Sequence, residues 1–341
     1  MKNYKASYKL VLFATLFAMC VVILGAYTRL QGAGLGCPDW PGCYGFAFVP
    51  DSAEEISQAE ALFPDAPFEA EKAWPEVIHR YFAGTLGFII VLINITAWKN
   101  RHVHRQPFKL PIALLLLVIA QGLFGMWTVT LKLWPQVVTT HLLGGFTTLS
   151  LLWLLSLRLN NRPWPQPNIP IYKWVRLRPL AALGLVLVVL QITLGGWLSS
   201  NYAALACPDL PTCQNQWWPS MDFSNGFNLA QEVGPNYLGG QMDGEARVAI
   251  HVMHRIGALL VTLYLIFLAS KLYKNAGGQP LRVLTHTILG LLAIQLGLGL
   301  SNIIWMLPLW VAVAHNACGA LLLLSLVTLN YRLYKSTMAA F

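Results

Sequence analysis

Glu76-Val77-Ile78-His79-Arg80-Tyr81-Phe82-Ala83-Gly84 opens an apolar segment that continues to Trp98. Three ionisable side chains stand within its first five residues, at the mouth of a run of membrane-spanning length. Ionisable groups at membrane depth are costly, so this stretch reads as a functional site with partners elsewhere in the chain. The partners are present. His141 lies near the start of the apolar segment after next, and the arrangement recurs as His254-Arg255 and His315.

The composition supports a membrane setting. Of 341 residues 11% are charged and 56% hydrophobic, against about a quarter charged in a soluble domain; the mean hydropathy is +0.54. Runs of spanning length, roughly 20 residues, occur at Leu10–Thr28, Val77–Trp98, Leu110–Leu131, Val137–Leu157, Leu180–Ser199, Val248–Ser270, Val283–Ile304 and Val311–Leu329. They predict an all-α integral membrane protein of eight transmembrane helices with both termini on one side. Placing the termini in the cytoplasm leaves only Arg29, Lys72, Arg80, Lys132, Arg247 and Arg255 outside, so 17 of the 23 Lys and Arg residues lie inside. The positive-inside rule favours that orientation. The net charge of +9 then reflects topology and anionic lipid, and no nucleic-acid partner is inferred. The short basic Met1–Lys9 lacks the length of an organelle transit peptide. A bacterial inner membrane is expected, with the first run kept as a helix.

Cys37-Pro38-Asp39-Trp40-Pro41-Gly42-Cys43 follows the first run, and Cys207-Pro208-Asp209-Leu210-Pro211-Thr212-Cys213 follows the fifth. Gln121 and Gly125 match Gln295 and Gly299, and His79 to His141 spans 62 residues against 61 for His254 to His315. Such matched landmarks predict an internal duplication: two tandem four-helix bundles, 1–158 and 180–341, joined by a cytoplasmic linker, 159–179, and related by a pseudo-twofold axis along the membrane normal. Asp51–Glu71, acidic and Pro-containing, reads as a loop with a helical turn or so. Trp74, Trp127, Trp134, Trp197, Trp305 and Trp310 read as an outer aromatic belt, and Trp98 and Trp174 as an inner one.

His79 and His141 lie near the outer ends of helices running the same way, so their rings can meet across a bundle at one depth. Opposed imidazoles are the usual ligands of six-coordinate haem iron, and a four-helix interior supplies a dry slot. Singly, each histidine reads as a hydrogen-bonded structural residue. Four at matched depth and spacing read as two haem sites. Gly84, Gly144, Gly145, Gly257, Ala258 and Gly319 would let a flat ring approach the backbone. Arg80 and Arg255 would pair with haem propionates. His102 and His104 read as solvated, and His286 as structural.

The halves differ at one place. Glu76 lies one helical turn from His79 on the same face, and His251 takes that position in the second half. A carboxylate beside one site only implies that one pocket does chemistry and the other holds a cofactor; the plainer alternative is a carboxylate paired with Arg80 or Lys72. Cys37 with Cys43, and Cys207 with Cys213, face an oxidising compartment and are expected to form disulfides. The second reads as a structural clip, while a redox role stays open for the first. Cys20 and Cys318 read as membrane-buried thiols.

Taken together, Gly25-Ala26-Tyr27-Thr28-Arg29-Leu30, the first cysteine loop, Glu76-Val77-Ile78-His79-Arg80, His141, His254-Arg255-Ile256-Gly257-Ala258 and His315-Asn316 resemble the haem A synthase family across all eight helices. The resemblance implies that haem O, the substrate, is held by His79 and His141, and haem b, the cofactor, by His254 and His315. It implies catalytic roles for Glu76, His79 and His141. The implied reaction is that of an oxidoreductase acting on a porphyrin methyl, through successive hydroxylations to a formyl group, giving haem A for terminal oxidases. Haem O synthase (protohaem farnesyltransferase) and an external electron donor such as a ferredoxin are the implied partners, and the sequence admits a homo-oligomer. The alternatives are a two-haem cytochrome b-type electron carrier and a haem carrier or exporter.

Overall fold

The computed structural model describes residues 2–103, 106–160, 171–274 and 279–338, and no strand occurs among them. The helices are α1 (Lys2–Leu30), α2 (Ala53–Leu62), α3 (Ala70–Lys99), α4 (Lys109–Thr130), α5 (Pro135–Asn160), α6 (Ile171–Ser200), α7 (Phe223–Gly226), α8 (Gly244–Lys274), α9 (Gln279–Ile304) and α10 (Leu309–Met338). Eight of these are long and apolar enough to cross a membrane, all but α2 and α7. Helix is the form such runs must take in lipid, because it satisfies every backbone group within the segment.

Most of the spans outlast their apolar runs. The 30 residues of α3 extend about 45 Å at 1.5 Å per residue, well beyond a hydrocarbon core of about 30 Å. Its first turns hold Pro75, whose missing N–H leaves the Glu71 carbonyl without its helical donor. Gln31 Nε2 donates to that carbonyl at 3.5 Å, and Thr28 Oγ1 donates to the Pro75 carbonyl at 3.2 Å. The end of α1 thus ties down the start of α3.

The spans form two closed rings. In one, α1 packs on α3 and α5, and α4 closes it against both; in the other, α6 packs on α8 and α10, and α9 closes it. The rings join where α5 meets α6 and α10, and where α1 meets α10. Leucines such as Leu149, Leu152, Leu326 and Leu329 fill one continuous core. Polar ties cross it: Trp153 Nε1 donates to Thr328 Oγ1 at 2.8 Å, and Thr139 and Ser200 hydroxyls lie 3.1 Å apart. At the loop end Arg29 Nη2 donates to the Ser199 carbonyl at 2.7 Å and its guanidinium stacks on Tyr202 at 4.2 Å. Leu116 and Leu123 on α4, and Leu259 and Leu263 on α8, face outward, as lipid-facing side chains do.

Several expectations need correction. The 51–71 segment contains a full helix, α2, capped by Ser52 accepting from the Glu55 N–H at 3.2 Å. Helices α5 and α6 extend into the expected linker, of which residues 161–170 lie outside the described residues. Trp197 and Trp174 are buried within the protein rather than facing lipid; Trp197 donates to the Gly226 carbonyl at 2.8 Å. Cys20 and Cys318 both lie in spans, as expected, Cys20 on the outside of its helix and Cys318 packed within the protein. His102 is exposed and His286 packs edge-on against Tyr273 at 5.3 Å; His104 lies outside the described residues.

Candidate functional site

All four histidines lie near one end of the bundles, each with its ring against a glycine of the neighbouring helix. A Cβ added at Gly25 on α1 would stand 2.8 Å from His79 Cε1, and one at Gly195 on α6 would stand 3.3 Å from His254 Cε1. The equivalent distances are 3.5 Å from Gly125 to His141 and 3.2 Å from Gly299 to His315. These four glycines are where imidazole meets backbone. Of those expected from sequence, Gly144, Gly257 and Gly319 accommodate Gln121, Gln191 and Gln295, while Gly84 and Gly145 border open space, a Cβ there meeting nothing within 4 Å. The Gln121–Gly125 and Gln295–Gly299 spacing was the signal available in the sequence.

His79 and His141 lie within electrostatic reach of each other, as do His254 and His315. The Nδ1 atoms of His79, His141 and His315 are buried without a hydrogen-bond partner. Buried polar atoms are normally satisfied, so these three unpartnered nitrogens, with one interacting histidine pair in each ring, fit a bis-histidine haem in each. No cluster of three or more His, Cys, Asp or Glu that could hold a metal ion directly occurs among the described residues.

Glu76 is buried and grips the first cysteine loop. Its Oε2 accepts from the Cys37 N–H at 3.0 Å and its Oε1 from Arg80 Nη2 at 2.6 Å. Lys72, the other suggested partner, pairs with Glu69 at 2.7 Å instead. His251, in the corresponding position, lies with Nδ1 3.0 Å from the Ala203 carbonyl. Both residues tie a helix to the loop above it, one with a carboxylate and the other with an imidazole.

The expected disulfides are present, Cys37–Cys43 and Cys207–Cys213, with Cα–Cα distances of 4.8 and 4.6 Å. All four cysteines are buried, which leaves a thiol partner no approach in this conformation. The two loops are built alike. Asp39 accepts from the N–H groups of Tyr44 and Gly45 at 2.6 and 2.9 Å, and Asp209 from those of Gln214 and Asn215 at 2.6 and 3.0 Å. The Thr212 hydroxyl, with those N–H groups, holds the Asp209 carboxyl below the usual aspartate range.

Arg80 and Arg255 are loop clamps. Arg80 donates to the Pro41 and Gly42 carbonyls as well as to Glu76. Arg255 donates to the carbonyls of Thr212, Cys207 and Asp209 at 2.8, 2.8 and 2.9 Å, and its Nε is buried without a partner. Their terminal nitrogens therefore already have acceptors, which the sequence could not reveal. The long loop between α6 and α8 also crosses to the first ring. Gln136 Nε2 and Trp134 Nε1 donate to the Leu229 and Gln231 carbonyls at 3.1 and 3.2 Å, and the Tyr237 N–H to the Lys132 carbonyl at 3.0 Å.

Residues 8–327 match the model of a family described as cytochrome oxidase assembly protein, COX15-CtaA. The chain belongs to that family. It is 46% identical over 321 residues to the heme A synthase of Shewanella oneidensis, covering 94% of both chains. Heme A synthases of Rhizorhabdus wittichii and Halalkalibacterium halodurans are 26% and 27% identical, over 98% and 92% of this chain. With its eight apolar helices, this family member is a multi-pass protein of the bacterial inner membrane.

Proposed function

We propose that the chain is a haem A synthase that oxidises the methyl group of haem O to a formyl group. The observation that carries the reading is the arrangement of four half-buried histidines as two interacting pairs, one per ring, each against a neighbouring helix's glycine. His79 and His141 would hold the substrate, haem O, and His254 and His315 would hold haem b. Bound haem b supplies an iron centre able to pass single electrons. The protein's part is positional. Paired imidazoles fix the two macrocycles, the apolar rings exclude water, and Glu76 keeps a carboxylate one turn from His79 without losing its loop contacts. Arg80 and Arg255 hold the loops over the sites, and Arg255 Nε remains as a donor toward a propionate.

Two hydroxylations each remove two electrons from the methyl carbon, and loss of water from the resulting gem-diol leaves the formyl. With dioxygen as the oxidant, each hydroxylation puts one oxygen atom on the carbon and reduces the other to water with two protons and two electrons from an external donor such as a ferredoxin; haem O synthase would deliver the substrate. The repeated loops and rings support a duplicated chain of two bundles with both termini cytoplasmic.

All four histidines lie at one end of the bundles, which disfavours a relay across the membrane and hence the electron-carrier reading. Pigment extraction from purified protein tests the proposal. Haem A, or hydroxylated haem O, alongside haem b is the expected result. Haem b as sole pigment, in cells that make haem O, would overturn it.

A further inference from the structure

Arg29 carries a charge that no carboxylate among the described residues answers. It stands half-buried in the last turn of α1 and makes one hydrogen bond among those residues, from Nη2 to the Ser199 carbonyl at 2.7 Å. Its Nε is buried without a partner. The ion pairs there are Lys72 with Glu69 and Arg80 with Glu76, and neither involves Arg29. Its guanidinium lies 4.2 Å from the centre of the Tyr202 ring, and the Tyr202 hydroxyl is itself buried without a partner. Tyr202 holds this place at φ 55, where the matched residue of the first half is Gly32 at φ 72.

The cluster lies between the rings, one turn beyond both imidazole contacts. Arg29 follows Gly25 by four residues, and Ser199 follows Gly195 by four, so each shares a helix face with a glycine that meets an imidazole. Those imidazoles are His79 and His254. The Arg29–Ser199 bond therefore joins α1 to α6 at one height, on the side of the outer loops. Arg29 and Ser199 are also matched positions of the two halves, so only the first half brings a cation here. Arg80 and Arg255, next to the same histidines in sequence, are occupied by loop carbonyls and Glu76.

We propose that Arg29, held flat on Tyr202, binds a carboxylate, and that this carboxylate is a propionate of a haem held by the histidine pairs. The proposal rests on the reading of those pairs as haem sites. A charge taken out of water is normally paired. The planar guanidinium fork matches a carboxylate and can donate to it from two nitrogens at once. Stacking on the phenol ring fixes the plane of the fork, and the Tyr202 hydroxyl supplies a further donor. Haem carries its propionates on one edge, and ionised groups are costly at membrane depth, so that edge belongs at the outer end, where Arg29 stands. A tie between the rings would need Nη2 alone and gives no use for the bare Nε and hydroxyl. The haem of either ring offers the same carboxylate chemistry.

The test uses the purified full chain loaded with haem b, with and without haem O, and with the dimethyl esters of both, which keep ring and iron but carry no carboxylate. Arg29→Gln should weaken retention of the free-acid haem roughly 10-fold, the size of one charge-assisted hydrogen bond. It should also lower that haem's midpoint potential, because an uncompensated carboxylate favours ferric iron. Neither change should appear with the diester. Changes confined to haem O assign the carboxylate to the first ring, changes confined to haem b assign it to the second, and changes in both mean that the guanidinium is shared. Tyr202→Phe removes only the hydroxyl and should lessen the preference for free acid over diester by a smaller factor; it carries the test if Arg29→Gln does not fold. An unchanged preference in each variant that folds, or equal losses for free acid and diester, would overturn this inference alone. An unaltered protein that binds neither haem would overturn the underlying reading as well.

Discussion

The Cys37 N–H donates to Glu76 Oε2 at 3.0 Å, so the first disulfide loop and the buried carboxylate form one unit. Opening the loop should therefore reach Glu76. Closing a loop of this length stabilises by about 2 kcal/mol in the chain-entropy description. We expect Cys37→Ser with Cys43→Ser to depress haem A formation more than Cys207→Ser with Cys213→Ser, because the second loop has no carboxylate to hold. Haem extracts from the two variants at matched protein level make the comparison; equal loss in both would refute it.

Glu76→Gln should keep the eight helices and haem b while haem O or a hydroxylated intermediate accumulates in place of haem A. The amide preserves the side chain's size but weakens a charge-assisted bond to Arg80 worth about 2 kcal/mol. Limited proteolysis of the first outer loop should rise modestly alongside the lost turnover. Near-normal haem A yield would mean that the carboxylate serves only as the loop's anchor.

His254→Ala or His315→Ala should each remove haem b, leaving one axial ligand in a pocket built for two. The purified variants should show a markedly lower haem b content and no low-spin bis-histidine spectrum from the second site. An unchanged spectrum from either would contradict the assignment.

The glycines beneath the rings predict a graded series. Gly25→Ala places a Cβ 2.8 Å from His79 Cε1, closer than such atoms pack, and should lower substrate occupancy. Gly125→Ala meets His141 at an ordinary 3.5 Å and should leave occupancy alone, while its helix gains about 0.5–1 kcal/mol from losing a glycine. Haem content and thermal melts separate the two outcomes; equal occupancy in both variants would count against ring-on-glycine packing.

Much of this architecture could be read before any coordinates. Charge-free runs mark the spans because lipid tolerates little else, and the repeated Cys-Pro-Asp loop marks matching positions in the two halves. Helix α2 was missed although Ser52 and Glu55 have the Ser-x-x-Glu spacing of a capping box; Ser52 caps the Glu55 N–H, and Glu55 Oε2 reaches back to the Asp51 N–H at 3.1 Å. Other features had no side-chain signature. Arg80 and Arg255 bond main-chain carbonyls, which every residue carries, so no pattern announces the contact. The glycines at the rings sit on neighbouring helices, and only the packing shows which of the 27 glycines those are. Trp197 and Trp174 look like belt residues by position, yet they face inward because of how their helices are rotated in the ring.

The bonds from Trp134, Gln136 and Lys132 to residues 229–237 also bear on biogenesis. A chain made from its N-terminus has the whole first ring inserted while those later residues are still unsynthesised. The turn between α4 and α5, just ahead of His141, stays bare until the second outer loop has been threaded to the same side. The first ring is therefore the first to be inserted and among the last to be finished, and its completion signals that the second has been put in place.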